Sequence, residues 1–109
     1  MNYYYNPKDR TAKELVPGIN AKTFWGEQML AAVVDLDPNA NLPRHSHPHE
    51  QLGIVIEGPI EFIIGDEKKV LGPGEVYVIP GGVEHEARTF DQPVKVLDVF
   101  SPVREEYKY

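Results

Sequence analysis

Glycine and proline interrupt this chain at short intervals, and this punctuation limits what the chain can fold into. Its 109 residues include nine glycines and ten prolines. Turn signals occur at Gly58-Pro59, Gly65-Asp66, Gly72-Pro73-Gly74 and Pro80-Gly81-Gly82, with short apolar runs between them. Such runs are too short for ordinary helices and are rich in β-branched residues, so they predict β-strands.

The apolar runs define a series of short strands along most of the chain. We predict strands over residues 28–36, 53–58, 60–66, 69–71, 76–79, 85–90 and 94–100, with a hairpin at Gly58-Pro59. Thr11 to Glu14 matches a capping box, but Pro17-Gly18 follows at once, so at most one helical turn is expected there. Many short strands with regular turns indicate an all-β sandwich or barrel.

Length and composition limit the domain organisation and the partners. We expect one domain over residues 1–109, with an N-terminal arm and first strand (1–27), a barrel core (28–100) and a tail (101–109). Seventeen acidic against eleven basic residues argue against a nucleic-acid partner. The absence of cysteine, of an export signal and of a membrane-length apolar run predicts a cytoplasmic protein without a membrane partner.

All four histidines lie in two segments, 45–49 and 80–85. His45, His47 and Gln51 share one parity, which the alternation of a β-strand would place on one face. His49 shares that parity too, but four consecutive inward side chains cannot all reach one ion, so we expect His49 at the rim. Imidazole and amide oxygen suit Zn, Ni, Fe or Mn. Taken alone, the histidine cluster could equally be a solvated loop, and Gln51 a polar residue filling the barrel mouth.

Two motifs in the chain resemble those of the cupin superfamily. Gly74, Pro80, Gly82 and His85 match the second cupin motif, with Thr89 where the family has asparagine. His45, His47 and Gly58 match the first motif, with Gln51 at the glutamate position and Asn39 at the first glycine position. The resemblance implies a cupin jelly roll, an antiparallel β-barrel. It also implies one divalent transition metal held by His45, His47, Gln51 and His85.

The last predicted strand and the tail carry further polar candidates. Alternation places Val96, Asp98 and Phe100 on the inward face. Asp98 is then either a core acid bonded to a tyrosine or a backbone amide, or a general acid/base with a raised pKa. Arg104 is either a surface charge paired with Glu105 or Glu106, or a bidentate clamp for a carboxylate.

Asp98, Phe100 and Arg104, following a His-His-Gln-His site, resemble the KdgF-type cupins of pectin and alginate breakdown. That resemblance implies linearisation of 4,5-unsaturated hexuronates to 5-keto-4-deoxyuronate, with these three residues handling a small anionic sugar. A neutral Gln51 in place of glutamate leaves the metal charge uncompensated, which favours Lewis-acid over redox chemistry. An Fe(II) oxygenase and a non-catalytic sugar- or effector-binding module remain as rival hypotheses.

Some predicted strands are apolar on both faces, which predicts an assembly. Ile54 and Ile56 lie opposite Gln51 and Val55, so one apolar face needs cover from outside the barrel. We therefore expect a homodimer. The tyrosines at positions 3–5 are expected either as an edge strand donated to the partner or as an arm packed on their own barrel.

Overall fold

The computed structural model of this protein describes residues 3–109, so the first two residues of the predicted 1–27 arm lie outside the described residues. The described residues form ten β-strands and two short 3-10 turns, Pro7–Asp9 and Glu105–Tyr107. The strands are β1 Lys13–Val16, β2 Ile19–Trp25, β3 Leu30–Leu36, β4 Asn41–His45, β5 Glu50–Glu57, β6 Ile60–Ile64, β7 Glu67–Leu71, β8 Val76–Ile79, β9 His85–Thr89 and β10 Val94–Ser101. The all-β prediction is confirmed.

Two antiparallel sheets enclose the core. The larger has the order β1-β2-β3-β10-β5-β8, and the smaller has the order β4-β9-β6-β7. Alternation decides which side chains face inward: on β10, Val94, Val96, Asp98 and Phe100 are buried, as predicted. Apolar side chains from both sheets form one cluster, the arrangement of a jelly roll.

One local prediction is wrong because a connection between the two sheets does not follow the local pattern. Gly58-Pro59 does not close a hairpin, since β5 pairs with β8 and β10 whereas β6 pairs with β7 and β9. The chain passes there from one sheet to the other, and the hairpin of β6 lies at Gly65, between β6 and β7. At residues 11–14 the expected limit of at most one helical turn is not exceeded, because residues 13–16 form β1 and pair with β2.

Left-handed backbone at the motif positions explains their residue types. Gly74 and Gly82 have φ of 87° and 82°, values that favour glycine. Asn39, at the first glycine position of the motif, has φ of 57°, which asparagine tolerates better than most residues. Thr89, which replaces the family's asparagine, donates its hydroxyl to the Asp37 carbonyl and accepts from the Ala40 amide. These residues set the conformation of loops and do not take part in the chemistry of the site.

The outer face of the larger sheet is apolar and exposed. Leu52 and Val78 are paired across β5 and β8 and are 46% and 52% exposed, and Ile56 and Val76 are exposed beside them. At the N-terminus, Tyr3 and Tyr4 are 77% and 92% exposed and belong to no strand, so an arm packed on its own barrel is wrong for these two side chains. Among residues 3–109, no helix is long and apolar enough to cross a membrane.

Candidate metal centre

The site lies where the chain crosses from the smaller to the larger sheet. His45 ends β4, His47 lies in the 46–49 link, Gln51 is the second residue of β5, and His85 begins β9 directly opposite His45. The prediction that His45, His47 and Gln51 share one strand is therefore wrong, because the strand breaks at residues 46–49 and resumes in the other sheet. Their side chains nevertheless point inward on both sides of the break, so these three residues and His85 lie close together.

Three of the four histidines form one compact cluster. The rings of His45, His47 and His85 place ligating nitrogens within 4.8 Å of one another. Their centroids are 4.3 Å apart for His45 and His85, 5.0 Å for His47 and His85, and 5.8 Å for His45 and His47. This spacing allows three imidazoles to reach one ion.

Main-chain carbonyls fix the orientation of all three rings. The Nδ1 atoms of His45, His47 and His85 lie 2.9, 3.0 and 2.9 Å from the carbonyl oxygens of Pro43, His49 and Val83, respectively. Because a carbonyl only accepts, each Nδ1 carries the proton, and each Nε2 of a neutral ring keeps its lone pair. Second-shell bonds of this kind set the tautomer of metal-binding histidines.

Burial favours the neutral form of two of these rings, those of His47 and His85. It lowers the pKa of His85 to about 4, and it also lowers the pKa of His47, which the positive charge of Arg104 lowers further. A ligand imidazole has to be neutral, so the cluster is ready for a cation near pH 7.

Gln51 adds an oxygen to the cluster. Its side-chain Oε1 lies 3.0 Å from His47 Nε2, and its amide hydrogen-bonds to Asp98, which leaves the oxygen facing the histidines. With the His47 proton on Nδ1, two lone pairs therefore converge between His47 and Gln51, and a cation would resolve their repulsion. Three imidazoles and an amide oxygen fit a divalent ion such as Zn, Ni, Fe or Mn.

Asp98 is buried beside this cluster. The Tyr77 hydroxyl donates a 2.5 Å hydrogen bond to Asp98 Oδ1. Burial raises the pKa of Asp98, although the bonds from Tyr77 and Gln51 act against the rise. The carboxyl group also lines a cavity of about 50 Å³ that reaches His45, Gln51 and His85. Asp98 thus has the tyrosine partner expected of a core acid and also the raised pKa expected of a general acid/base.

Arg104 covers the mouth of this cavity. Its side chain is 11% exposed, and its guanidinium lies 3.9 Å from the Tyr107 ring centroid and 5.1 Å from that of Phe100. Its buried Nε has no hydrogen-bond partner among residues 3–109, and it forms an ion pair with the exposed Glu106, with 3.4 Å between Nε and a carboxylate oxygen. Phe100 in turn packs against His47 in a T-shaped arrangement, with centroids 5.5 Å apart. An anion entering the cavity would compete with Glu106 for this largely buried cation.

His49 lies outside the three-histidine cluster. It is half-buried, its ring centroid is 5.7 Å from that of His47, and its Nδ1 has no hydrogen-bond partner within residues 3–109. The carbonyl oxygen of His49 accepts the bond that orients His47. This position agrees with the expectation of a rim residue.

Two residues at the site were missed from the sequence. For Tyr77, which contacts Asp98, the only sequence signal was its position on the inward-facing side of β8. Tyr107 is held over the mouth because the Thr23 hydroxyl donates to its carbonyl oxygen at 2.6 Å. Its spacing of three residues from Arg104 could have suggested a contact, but only the tertiary fold brings it to the cavity.

Comparisons with known proteins agree with this architecture. The family model for the cupin domain matches residues 32–100. The chain is 27% identical over 109 residues to the pectin degradation protein KdgF of Dickeya dadantii, covering 98% of this chain and 99% of that protein. The structure of KdgF from Halomonas sp. is similar at a TM-score of 0.89 and 29% identity, covering 97% of this chain and 98% of that chain.

A second relative matches over a shorter part of its length. The chain is 33% identical over 75 residues to the dimethylsulfoniopropionate lyase DddQ of Ruegeria pomeroyi, covering 68% of this chain. It spans only 37% of the length of that lyase. The similarity to DddQ therefore concerns one part of a larger protein.

Proposed function

This chain belongs to the cupin family, and we propose that it is a metal-dependent enzyme that linearises a small unsaturated uronate. The product would be the 5-keto-4-deoxyuronate, as the resemblance to KdgF-type cupins implies. Similarity to a pectin degradation protein over nearly the whole chain supports a sugar-derived substrate. The observation that carries the proposal is the meeting of three oriented histidines, an arginine and a buried carboxyl group around one cavity.

The proposed metal ligands are His45, His47, His85 and Gln51. Their free Nε2 atoms and the amide oxygen supply neutral donors, so the protein leaves the charge of the ion uncompensated. When bound, a divalent ion would polarise substrate oxygens as a Lewis acid. The chain's own residues hold, orient and protonate the substrate.

Arg104 is the proposed binding group for the substrate carboxylate. Contacts with the Tyr107 ring and, at greater distance, the Phe100 ring restrain the guanidinium, which leaves less rotamer freedom to lose on binding. Phe100 contacts both His47 and the guanidinium and lines the same cavity, so its ring would contact the bound sugar. An open cleft of about 250 Å³ beside His45 and Tyr107 gives access from solvent.

Asp98 is the proposed proton carrier. It would accept the proton of the anomeric hydroxyl as the C1–O5 bond breaks and the C1 carbonyl forms. It would then deliver that proton to C4, while the C4–C5 double bond becomes the C5 ketone. Atoms and electrons balance within the substrate, so no oxidant is needed. A pKa raised by burial suits a group that both accepts and returns a proton.

A binding module is the second candidate, and the bond between Tyr77 and Asp98 favours it. A carboxylate satisfied by Tyr77 and Gln51 could serve only the architecture of the site. The metal-loaded protein should be incubated with 4,5-unsaturated galacturonate monomer while the ultraviolet absorbance of its conjugated double bond is followed. Metal-dependent loss of absorbance supports the enzyme, whereas saturable binding without loss supports the module.

We also propose that two copies associate through the outer face of the larger sheet. Leu52, Ile56, Val76 and Val78 are exposed there on neighbouring strands, with the half-buried Ile54 among them. Contiguous exposed apolar surface of this kind marks an interaction site. A two-fold axis would place the same patch on both subunits.

A further inference from the structure

We infer that Tyr77 is a positioning residue for the metal centre, acting through Asp98 to hold the Gln51 amide with its oxygen toward the three histidines. The inference rests on the metal site of the proposed function and deepens it. It gives Tyr77 a role at a distance, since its hydroxyl contacts Asp98 rather than the histidine cluster.

The three strands β8, β5 and β10 bring Tyr77 to Asp98 across a glycine. Tyr77 pairs with Gly53, and Gly53 pairs with Asp98, so the three residues form one row across the sheet. The Tyr77 ring lies so close over Gly53 that a methyl group at Gly53 would overlap it. Gly53 therefore gives the ring room to reach Asp98 over an intervening strand.

With Asp98 ionised, the hydrogen bonds that it accepts have one consistent direction. The Tyr77 hydroxyl donates to Asp98, and the carboxylate also accepts from the Gln51 amide nitrogen. The Gln51 nitrogen is thereby engaged, and its Oε1 is left 3.0 Å from His47 Nε2. These hydrogen bonds thus leave the Gln51 oxygen, rather than its N–H group, facing the metal centre.

This direction matters because the metal-free protein would gain from the opposite one. If the amide rotated by half a turn, its N–H would donate to the lone pair of His47 Nε2 and satisfy both groups. That bond would compete with the metal for His47 and withdraw the fourth ligand. Holding Asp98 in place with Tyr77 opposes the rotation, because the rotated amide would turn its oxygen against the carboxylate.

Tyr77→Phe tests the inference, since it removes the hydroxyl and keeps the ring over Gly53. Affinity for Zn²⁺ and Co²⁺ should be measured by chelator competition, with the Co²⁺ absorption spectrum as a second readout. We expect a roughly 10- to 100-fold loss of affinity, as for other outer-shell partners, and a changed Co²⁺ spectrum. In a Gln51→Ala background, Tyr77→Phe should have no further effect, because the amide that it positions is gone.

Thr89→Val is the matched control. It also deletes a buried hydroxyl with two main-chain partners, but those partners, Asp37 and Ala40, lie outside the cluster. Thr89→Val should lower thermal stability while keeping full metal affinity. If Tyr77→Phe does not fold, Gly53→Ala displaces the ring with the hydroxyl present and should give the same loss of affinity.

Parental affinity and an unchanged Co²⁺ spectrum in Tyr77→Phe would overturn the inference. So would an equal loss of affinity in Thr89→Val, since general destabilisation would then explain both. His47→Ala separates this failure from failure of the proposed function. If His47→Ala also binds metal normally, the metal site itself is wrong, whereas loss of metal in His47→Ala alone rejects only the role of Tyr77.

Discussion

Replacing Arg104 should weaken substrate binding more than it slows the reaction. The guanidinium lies over the Tyr107 ring and beside the Phe100 ring, its buried Nε has no hydrogen-bond partner among residues 3–109, and it lines the cavity of Asp98. A hydrogen bond to a charged group contributes about 1.5–3 kcal/mol, and about 1.4 kcal/mol corresponds to a factor of ten. We therefore expect Arg104→Ala to raise KM for unsaturated galacturonate by roughly 10- to 100-fold, with a smaller change in kcat.

The assay follows the ultraviolet absorbance of the unsaturated uronate at a series of concentrations. Arg104→Lys keeps the charge but loses the planar fork and the stacking, so it should recover only part of the lost affinity. Lys108→Ala is the control, because Lys108 lies on the same tail but pairs with Glu105 at the surface.

A substrate methyl ester sharpens this test. The ester should bind the parental protein more weakly than the acid, and Arg104→Ala should bind acid and ester alike. If Arg104→Ala still prefers the acid as strongly as the parental protein does, Arg104 does not bind the carboxylate and this reasoning is refuted.

Three further predictions concern proton transfer, assembly and acid stability. Asp98→Asn should lower kcat by on the order of 10²–10⁴ with little change in substrate affinity, and turnover at the parental rate would remove Asp98 from the chemistry. Sedimentation should give a dimer at micromolar concentration, because obligate interfaces bury about 2,000 Å² or more. Leu52→Asp should weaken this dimer, and a clean monomer of the parental protein would refute the interface. Because folding lowers the pKa of His85 from 6.5 to about 4, the unfolded chain binds more protons in that range, so the metal-free protein should lose stability as the pH falls from 6.5 towards 4. Urea unfolding of His85→Gln should show a weaker dependence on pH over that window, and an equal dependence would count against the buried neutral imidazole.

Local patterns predicted the positions of β3 and of β5 to β10 and the inward face of β10, but they gave no bounds for β1, β2 or β4. Val76–Ile79 forms a strand with the predicted bounds, and Asp98 and Phe100 point inward because alternation on a half-buried strand is a local property. The cupin-like motifs also identified the fold, because their glycines occupy left-handed turns that few other residues tolerate.

Connections between sheets were beyond such patterns. The alternation of His45, His47 and Gln51 is the same whether the strand continues or crosses to another sheet, so Pro48 was the local signal for the break at residues 46–49. The turn at Gly58-Pro59 likewise suits a hairpin or a crossing, and only pairing with distant strands decides between them.

The row from Tyr77 to Asp98 depends on register across three strands. In the sequence, Gly53 is only a glycine that lowers the propensity of an apolar strand, and Tyr77 resembles an ordinary core aromatic residue. Their joint role follows only when β8, β5 and β10 are aligned, which is set by long-range pairing.

The most direct test of the account is turnover of unsaturated galacturonate monomer by the protein with and without bound metal. The apo-protein should be reloaded in turn with Zn²⁺, Ni²⁺, Fe²⁺ and Mn²⁺, and metal content should be measured alongside the loss of ultraviolet absorbance. We expect loss of absorbance with at least one metal, with metal content and activity falling together in His47→Ala and His85→Ala and metal content largely retained in His49→Ala. Full metal content in both His47→Ala and His85→Ala, or no change in absorbance with any fully loaded form, would contradict a metal-dependent uronate enzyme.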